Sequence, residues 1–410
     1  MTRDVAIVVV GDEILQGRRT EANAAWLARA LQGMGVQLSE VRVVSDTHDA
    51  LQKALTDLRS PLRTVLVTGG LGPTRDDRTR EEVARAFGQK VVRSREALAM
   101  VRSAYRKRNI ELDPAGEIQG DLPEGAILIP NPAGTAPSFL VMDDGYRVVC
   151  MPGVPREMQA IFQATVKGLL ASSADAPGIA RLFTHGLGES MQEEKMRDLA
   201  LEDVEFCSLP GPWGVEIQCL VRGESATREE RAHAALKLVA DRLGDAVVRP
   251  PGSTLRQGLL AGLRDKNWQI ALAESCTAGM ACSELAGEPG ASDVLAGGVV
   301  AYSNELKKSL LGVSASTLEA HGAVSRETAL EMARGAAKIC PSGSGIGLAV
   351  TGVAGPGGGT EEKPVGLVWI AASWPDGEVA QELRLTGNRD DIRQRAAWRL
   401  LGLGWRVVSG

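Results

Sequence analysis

Two polar segments near the C-terminal end of the chain contain the residues best suited to nucleophilic chemistry. The first is Glu274–Gly279, which reads Glu-Ser-Cys-Thr-Ala-Gly and directly follows the strand-like run 269–273. The second is Tyr302–Lys307, which follows another apolar run. Together they supply hydroxyls, a thiol, a phenol and an amine at the ends of predicted strands, where α/β proteins usually carry their chemistry.

Ser275 lies at a predicted strand-to-helix turn, where N–H groups of the following turn could stabilise an oxyanion. A serine hydroxyl reacts only when a base accepts its proton, and Lys307 and Tyr302 are the candidate bases. A lysine partly removed from water loses proton affinity and can act as a base, with a tyrosine as relay or orienter. In the structural alternative, Ser275 and Thr277 cap the following helix. Tyr302 then packs at a sheet edge and Lys307 is solvated.

Two further segments of the C-terminal region could bind phosphate. Thr351–Thr360 is rich in glycine and follows an apolar strand, a pattern typical of a phosphate-binding loop but also of an ordinary loop. Arg389 opens the last predicted helix and could make bidentate contacts with a phosphate. Cys276 is a rival nucleophile, but its position at a helix start favours burial as a small apolar residue.

A glycine-rich loop follows a buried strand in the N-terminal third, at Thr68–Asp77. Its glycines allow backbone N–H groups to approach an anion, and the predicted helix near Thr79 adds the positive end of its dipole. Acids near predicted strand ends could hold a divalent cation against the same phosphate. These acids are Asp12, Asp46, Asp76 and Asp77. Alternatively, Asp76 and Asp77 only interact with the helix dipole.

The bulk composition excludes several classes of protein. A chain of 410 residues is too long for one ordinary core, so two or three domains are expected. The net charge of −5 gives no general attraction to nucleic acid or anionic membranes. No apolar run approaches the roughly 18 residues that a membrane span needs, and the N-terminus does not resemble a signal peptide. Six scattered cysteines without a C-x-x-C pair predict a reducing, cytoplasmic location.

The order of predicted elements divides the chain into three regions. In residues 1–170, continuous apolar strands alternate with helices, which favours a parallel sheet covered on both faces. Residues 178–250 predict a small α+β module, and residues 253–410 predict a second α/β unit. The predicted fold class is therefore α/β, with two three-layer α/β domains joined by the α+β module.

The middle module contains a G-x-x-G pattern at Gly211–Gly214, formally that of an RNA-clamping loop. Pro212 lacks an N–H and the loop contains no Lys or Arg, so we predict a hairpin turn instead. Ser190 and Glu193 match a capping box before a predicted helix at 191–201. We expect the module to space domains or contact a second copy of the chain.

The motif at 67–77, Val-Thr-Gly-Gly-Leu-Gly-Pro-Thr-Arg-Asp-Asp, resembles the hallmark of MogA/MoaB-like molybdopterin-cofactor biosynthesis domains. Segments 131–137 and 151–158 narrow the resemblance to the CinA-like branch. That branch implies an ADP-ribose pyrophosphatase dependent on Mg, Mn or Co. The implied substrate loop is Gly69, Gly70, Gly72 and Thr74, and the implied metal ligands are Asp46, Asp76, Asp77 and Asp12. Glu21–Asn23 and Ser138 depart from the family pattern.

The C-terminal region resembles the CinA C-terminal domain, the nicotinamide-nucleotide amidase (NMN deamidase) family. The matching segments are 273–277, 301–307, 321–325, 351–356, 361–366 and 387–390. The resemblance implies that Ser275 is the nucleophile and that Lys307 and Tyr302 activate it, with no cofactor. The implied substrate-binding residues are Glu274, Thr277, Thr351, Gly352, Gly355 and Arg389. Ala278 stands where Gly is common, which matters only if the backbone there needs a positive φ.

The CinA family often carries a KH-like module between its catalytic units, and the middle region fits that size and place. The resemblance thus implies a bifunctional, homodimeric enzyme that acts on NMN and ADP-ribose, without membrane or nucleic-acid partners. Two alternatives remain open. One is a non-enzymatic molybdopterin-binding or competence-associated binding protein, and the other is a Ser–Lys amidase with another substrate.

Overall fold

A computed structural model describes residues 4–36, 38–47, 49–170, 177–211, 213–222, 227–341 and 344–410. The chain forms two compact units, the first extending to Pro177 and the second comprising Gly178–Val221 and the chain from Thr227 onward. In the part of the chain so described, no helix has the length and apolar character needed to cross a membrane.

The first unit is built on one six-stranded sheet. The strands of the whole unit are β1 (Val5–Val10), β2 (Leu38–Val44), β3 (Thr64–Thr68), β4 (Val91–Arg93), β5 (Asp121–Pro123), β6 (Ile127–Ile129), β7 (Ser138–Asp143) and β8 (Tyr146–Met151). Its helices are α1 (Asp12–Leu15), α2 (Asn23–Gln32), α3 (Ala50–Asp57), α4 (Thr79–Ala86), α5 (Arg95–Lys107), α6 (Pro155–Ile161) and α7 (Lys167–Leu170). The sheet order is β2-β1-β3-β8-β7-β6, and β4 pairs with β5 separately.

Helices cover both faces of this sheet, so the predicted three layers are confirmed. One apolar cluster joins the sheet to α3, α4 and α5, and a second joins it to α2 and α6. Every residue of β1 is buried because its β-branched run faces both clusters. The prediction of a parallel sheet is wrong for β6 and β7, which pair antiparallel. The reason is local, since Asp144 and Gly145 form a two-residue turn with positive φ between β7 and β8.

The second unit begins with the α+β module. Its elements are β9 (Gly178–Thr184), α8 (Glu189–Met196), β10 (Val204–Gly211), β11 (Gly214–Val221) and α9 (Arg228–Leu243). The sheet is antiparallel in the order β10-β11-β9, and Gly211 pairs with Gly214, so the hairpin prediction is confirmed. The predicted capping box is wrong. Gly188 is the N-cap of α8, and the Glu193 carboxylate accepts a hydrogen bond from Ser208 instead.

The rest of the second unit is a three-layer α/β fold. Its strands are β12 (Gln269–Glu274), β13 (Leu295–Val300), β14 (Gly345–Gly352), β15 (Leu367–Trp374) and β16 (Gly377–Arg384). Its helices are α10 (Leu255–Asp265), α11 (Met280–Ala286), α12 (Asn304–Leu311), α13 (Ala315–His321), α14 (Arg326–Ala337) and α15 (Arg389–Ser409). The order is β13-β12-β14-β15-β16, with β12 parallel to both neighbours. The carboxyl ends of the three parallel strands β13, β12 and β14 therefore meet at one edge, where α/β folds bind ligands.

Candidate active site

Ser275 and Lys307 meet at this edge of the C-terminal sheet. Ser275 directly follows β12, and Lys307 lies in the first turns of α12, which follows β13. The Lys307 Nζ lies 3.1 Å from the Ser275 Oγ. Only 1% of Lys307 and 8% of Ser275 is exposed, so the alternative of a solvated lysine does not describe this structure.

Three oxygen atoms surround the buried Lys307 amine. Burial lowers the pKa of Lys307. Its Nζ also donates hydrogen bonds to the carbonyl oxygens of Ala301, at 2.9 Å, and Tyr302, at 3.2 Å. A neutral amine has two N–H donors and one lone pair. The protonated amine donates its third N–H to the Ser275 Oγ. Once it has lost that proton, its two remaining N–H groups stay on those carbonyls and its lone pair is left for the hydroxyl proton of Ser275, as a base requires.

Cys276 is poorly placed to replace Ser275 as the nucleophile. It is 5% exposed, and burial raises the pKa of its thiol to about 12. Because the thiolate is the reactive form of cysteine, a thiol with this pKa is almost wholly unreactive near neutral pH. The structure therefore favours the hydroxyl of Ser275.

Glu274 fixes the start of α11 rather than facing open space. Its carboxylate is 1% exposed and accepts three backbone N–H groups, from Gly279 at 2.9 Å, Ala281 at 3.2 Å and Cys282 at 2.8 Å. These bonds close the turn that carries Ser275. Glu274 was predicted to bind substrate, but its hydrogen bonds are those of a residue that positions the nucleophile.

Arg393, in α15, also holds the turn that carries Ser275, and it was not identified from the sequence. Its Nε donates to the carbonyl of Cys276 at 3.1 Å, and its Nη2 donates to that of Thr277 at 3.3 Å. The available signal was its spacing, because Arg393 lies one helical turn after Arg389 in α15.

Tyr302 and Arg389 lie together on the exposed side of the site. Arg389 Nη2 donates to the Tyr302 hydroxyl at 3.0 Å, and its Nη1 donates to the carbonyl of Gly355. Tyr302 is 58% exposed. Arg389 therefore joins Tyr302 to the glycine-rich loop, as its predicted role in phosphate binding requires. The Tyr302 hydroxyl bonds Arg389, however, whereas Lys307 is the residue that contacts Ser275.

Of the remaining predicted substrate residues of this region, Thr277, Thr351 and Gly355 are buried and Gly352 is half-buried. The Thr351 hydroxyl donates to the carbonyl of Ala323 at 2.7 Å, and Gly352 ends β14 opposite Val368. Thr277 is fully buried, and its hydroxyl has no hydrogen-bond partner among the residues that the structure describes. The side chains of Thr351 and Thr277 are therefore buried, whereas those of Arg389 and Tyr302 are exposed.

The backbone of the turn does need a positive φ at the position where this chain has alanine. Ala278 has φ 54° and Gly279 has φ 91°. A left-handed conformation costs a residue with a Cβ about 1–2 kcal/mol. The departure at Ala278 therefore places strain beside the candidate nucleophile.

In the first unit, the glycine-rich loop lines a cavity of about 340 Å³ together with Asp46, Asp76 and Asp77. Gly69 and Gly70 have φ 108° and 65°. A Cβ at Gly69 would lie 2.3 Å from the carbonyl oxygen of Val10, so this part of the loop admits only glycine. Gly72 also lines the cavity.

The carboxylates of this cavity interact but do not form a closed metal site. Burial and the charges of Asp12 and Asp76 raise the pKa of Asp46, whereas a hydrogen bond from Thr74 lowers the pKa of Asp76. Asp77 accepts the N–H of Thr74 at 2.8 Å. Among the described residues, no three His, Cys, Asp or Glu are grouped to hold a metal ion. Mg²⁺ commonly takes one or two carboxylates and completes its shell with water and substrate phosphates, so Asp46 and Asp76 fit that pattern.

Arg80 and Glu157 belong to this region but were not singled out from the sequence. Arg80 is 1% exposed and donates to the carbonyls of Leu71 and Gly72, which fixes the glycine-rich loop. Glu157 lines the cavity and accepts a hydrogen bond from Asn131 at 2.7 Å. Arg80 contacts residues eight and nine positions before it, and Glu157 contacts a residue 26 positions before it, separations that helix or strand periodicity does not reveal.

Fold and sites together define a two-unit α/β protein with a glycine-rich loop beside acids in one unit and a buried Ser–Lys pair in the other. Residues 6–172 match the family described as "Probable molybdopterin binding domain", and residues 253–403 match the CinA C-terminal domain. A relative from Acetivibrio thermocellus, whose name refers to competence-damage induction, is 39% identical over 391 residues, 94% of each chain. The chain belongs to the CinA family.

A second relative agrees with this assignment, and one solved structure is similar over part of the chain. A "CinA-like protein" from Kosmotoga olearia is 36% identical over 399 residues, 95% of each chain. A crystal structure of the protein CinA from Thermoplasma acidophilum, titled as of unknown function, is 34% identical, with a TM-score of 0.38. It covers 41% of this chain and 98% of that chain.

Proposed function

We propose that the C-terminal region hydrolyses the carboxamide of nicotinamide mononucleotide to nicotinic acid mononucleotide and ammonia. The observation that carries this proposal is the buried contact of 3.1 Å between Lys307 Nζ and Ser275 Oγ. Arg389 supports the choice of a nucleotide, because its exposed guanidinium at the same edge could bind the phosphate.

The reaction has two steps, acylation and hydrolysis. Ser275 Oγ attacks the carboxamide carbon while Lys307 accepts the hydroxyl proton. The candidate oxyanion donors are the N–H groups of Cys276 and Thr277, because Glu274 already accepts those that begin α11. The C–N bond then breaks as Lys307 returns that proton to the nitrogen, and ammonia leaves. Water attacks the acyl ester with Lys307 again as base, which releases the carboxylate and restores the serine.

The test is ammonia release from NMN, with and without EDTA. Ser275→Ala should abolish release, while the neighbouring Cys276→Ala should retain it. EDTA should have no effect, because acyl transfer by Ser275 uses no metal. Unchanged turnover in Ser275→Ala would disprove the nucleophile assignment. Equal rates on NMN and nicotinamide riboside would favour an amidase for which the phosphate is irrelevant.

We propose a second activity, ADP-ribose pyrophosphatase, for the first unit. Its support is the cavity of about 340 Å³ that brings the glycine-rich loop together with Asp46 and Asp76. Those two residues would hold Mg²⁺, Mn²⁺ or Co²⁺, with Asp77 and Asp12 beside them, and the ion would neutralise charge on the phosphates. The loop N–H groups would orient the pyrophosphate.

This second proposal is tested independently of the first. Asp46→Asn should abolish metal-dependent hydrolysis of ADP-ribose and leave ammonia release from NMN unchanged, while Ser275→Ala should do the opposite. Tight binding of ligands with no turnover at either site would instead favour a non-enzymatic binding protein. We further propose a cytoplasmic homodimer with a KH-like middle module, for which sedimentation analysis of the full chain tests the oligomeric state.

A further inference from the structure

A cavity of about 640 Å³ lies between the tip of the β10–β11 hairpin and helix α15. Its walls come from the loop after β9, the hairpin tip, the end of β16 and the middle of α15, all within the second unit. Cavities of about 300–1,000 Å³ are typical of sites for small molecules. The described residues that line it do not include Ser275, Lys307 or Arg389, so it is distinct from the amidase site.

The residues that line this cavity carry a net positive charge. Arg384, Arg395 and Arg399 line it, and Glu189 is the one acid among its described lining residues. Arg384 also pairs with Glu382, at 2.8 Å. The whole chain has 51 acids and only 46 Lys and Arg, so this excess of guanidinium groups is a local feature. Its electrostatics select an anionic ligand.

The two arginines from α15 are the best placed to bind that anion. Arg395 is oriented by a hydrogen bond from its Nη1 to the carbonyl of Thr386, at 2.9 Å. Arg399 makes no hydrogen bond or ion pair with the described part of the chain. The two are four residues apart, so they lie one helical turn from each other on one face, with their Cβ atoms about 6 Å apart. Planar guanidinium groups on two such neighbouring side chains can contact two adjacent phosphates.

A pair of tryptophans forms the apolar part of the cavity. The ring centroids of Trp213, at the hairpin tip, and Trp398, in α15, lie 5.3 Å apart with an angle of 53° between the planes. The guanidinium of Arg256 lies 5.2 Å from the centroid of Trp213. Base stacking on aromatic rings is a general means of binding nucleotides. Adjacent guanidinium and indole groups thus suit a ligand with a planar ring and phosphates.

His185 fixes the hairpin tip to α15 and so preforms the cavity. Burial lowers the pKa of His185, and the charges of Arg399 and Arg406 lower it further, so its ring is neutral near pH 7. Its Nδ1 lies 2.9 Å from the carbonyl oxygen of Trp213, which requires that Nδ1 carry the proton. A Cβ at Gly402 would lie 2.0 Å from the His185 Nε2, so the ring packs directly on the helix backbone. A preformed site loses less entropy when it binds.

We propose that this cavity binds a nucleoside diphosphate, with the base against Trp213 and Trp398 and the phosphates on Arg395 and Arg399. The site is additional to the two proposed active sites. It gives the β10–β11 hairpin a ligand-binding role in place of the RNA-clamping role that its glycines formally suggest.

The experiment is calorimetric titration of the full chain with ADP, in EDTA to suppress metal-dependent binding to the first unit. Arg395→Ala/Arg399→Ala should weaken ADP binding at least about tenfold, because two charge-assisted contacts are lost. Trp398→Ala should weaken it by a similar factor. The matched control is Lys237→Ala/Lys338→Ala, which removes two exposed cations of the same unit that do not line the cavity and should bind ADP as the wild type does.

The other outcomes each overturn a specific part of the proposal. Loss of ADP binding in Arg389→Ala but not in Arg395→Ala/Arg399→Ala would place the nucleotide in the amidase site. Inorganic pyrophosphate that binds as tightly as ADP would remove the role of the tryptophans. Tighter binding of a single-stranded oligonucleotide than of ADP would replace the free nucleotide with a nucleic acid. Arg395→Lys/Arg399→Lys keeps the two positive charges and the long side chains, but it removes the planar guanidinium groups. ADP binding at wild-type strength in this variant would overturn the role of guanidinium geometry in holding the phosphates.

Discussion

The substitution Glu274→Gln separates a residue that positions the nucleophile from one that binds substrate. In the structure, one carboxylate oxygen of Glu274 accepts the N–H groups of Gly279 and Ala281, and the other accepts that of Cys282. Glutamine has nearly the same shape but only one acceptor oxygen. If this oxygen takes the place that accepts from Gly279 and Ala281, both hydrogen bonds remain but their acceptor is no longer charged. The amide NH₂ group then faces the Cys282 N–H, which loses its acceptor.

The cost follows from these three bonds. A hydrogen bond to a charged group contributes about 1.5–3 kcal/mol and a neutral one about 0.5–1.5 kcal/mol, so two weakened bonds cost about 2 kcal/mol. The third N–H is left without an acceptor, which costs about 1–3 kcal/mol. We therefore expect the start of α11 to lose about 3–5 kcal/mol of local stability, which is more than a hundredfold in its opening equilibrium.

Hydrogen exchange of a peptide that covers residues 279–285 measures this opening directly. Exchange should accelerate by more than about a hundredfold in Glu274→Gln, and kcat on NMN should fall while KM changes little. Glu319→Gln, an exposed glutamate in α13, is the matched control and should change neither. A raised KM with unchanged exchange would refute the reasoning and return Glu274 to a substrate-binding role.

Three further predictions follow from the same site. Burial lowers the pKa of Lys307, so unfolding stability should rise with pH between that lowered value and the unfolded value of about 10.4, by at most about 1.4 kcal/mol per pH unit. NMN turnover should also rise with pH as Lys307 loses its proton, and Lys307→Met should abolish turnover. In urea titrations at a series of pH values, Lys307→Met should also lose the rise of unfolding stability with pH. Ala278→Gly should raise the free energy of unfolding by about 0.5–1 kcal/mol, because φ 54° suits glycine, and a lower melting temperature would contradict this. Iodoacetamide at pH 8 should leave Cys276 unmodified in mass spectrometry, because burial raises its pKa to about 12.

The strands that could be predicted from the sequence are those with a continuous apolar run. β1 and β3 coincide with the continuous apolar runs at 5–10 and 64–68, because runs rich in β-branched residues and buried on both faces leave no competing pattern. The segment 91–129 carried no such signal, since β4, β5 and β6 have only three residues each. The antiparallel side of the sheet was missed for the same reason, because pairing direction there depends on a turn at Asp144 and Gly145.

The Ser275–Lys307 site was predicted from residue types, but its geometry was not. The 3.1 Å contact depends on β12 and β13 being parallel neighbours, which no local pattern in either strand encodes. Arg393 was missed because its partner Cys276 lies 117 residues away. Sequence patterns identified the reacting groups, therefore, while the groups that hold them in place emerged only from tertiary structure.

Helix α15 brings the proposed amidase and nucleotide sites onto one rigid element. At 100° per residue, Arg389 and Arg393 differ by only about 40° around the helix, whereas Trp398 lies about 140° from Arg393. One side of α15 therefore holds the turn that carries Ser275, and another lines the nucleotide cavity. A ligand that moves α15 must change the bonds from Arg393 to Cys276 and Thr277. If ADP alters NMN affinity in this way, thermodynamic linkage requires NMN to alter ADP affinity by the same factor, and an NMN affinity that is the same with and without ADP would rule out coupling through this helix.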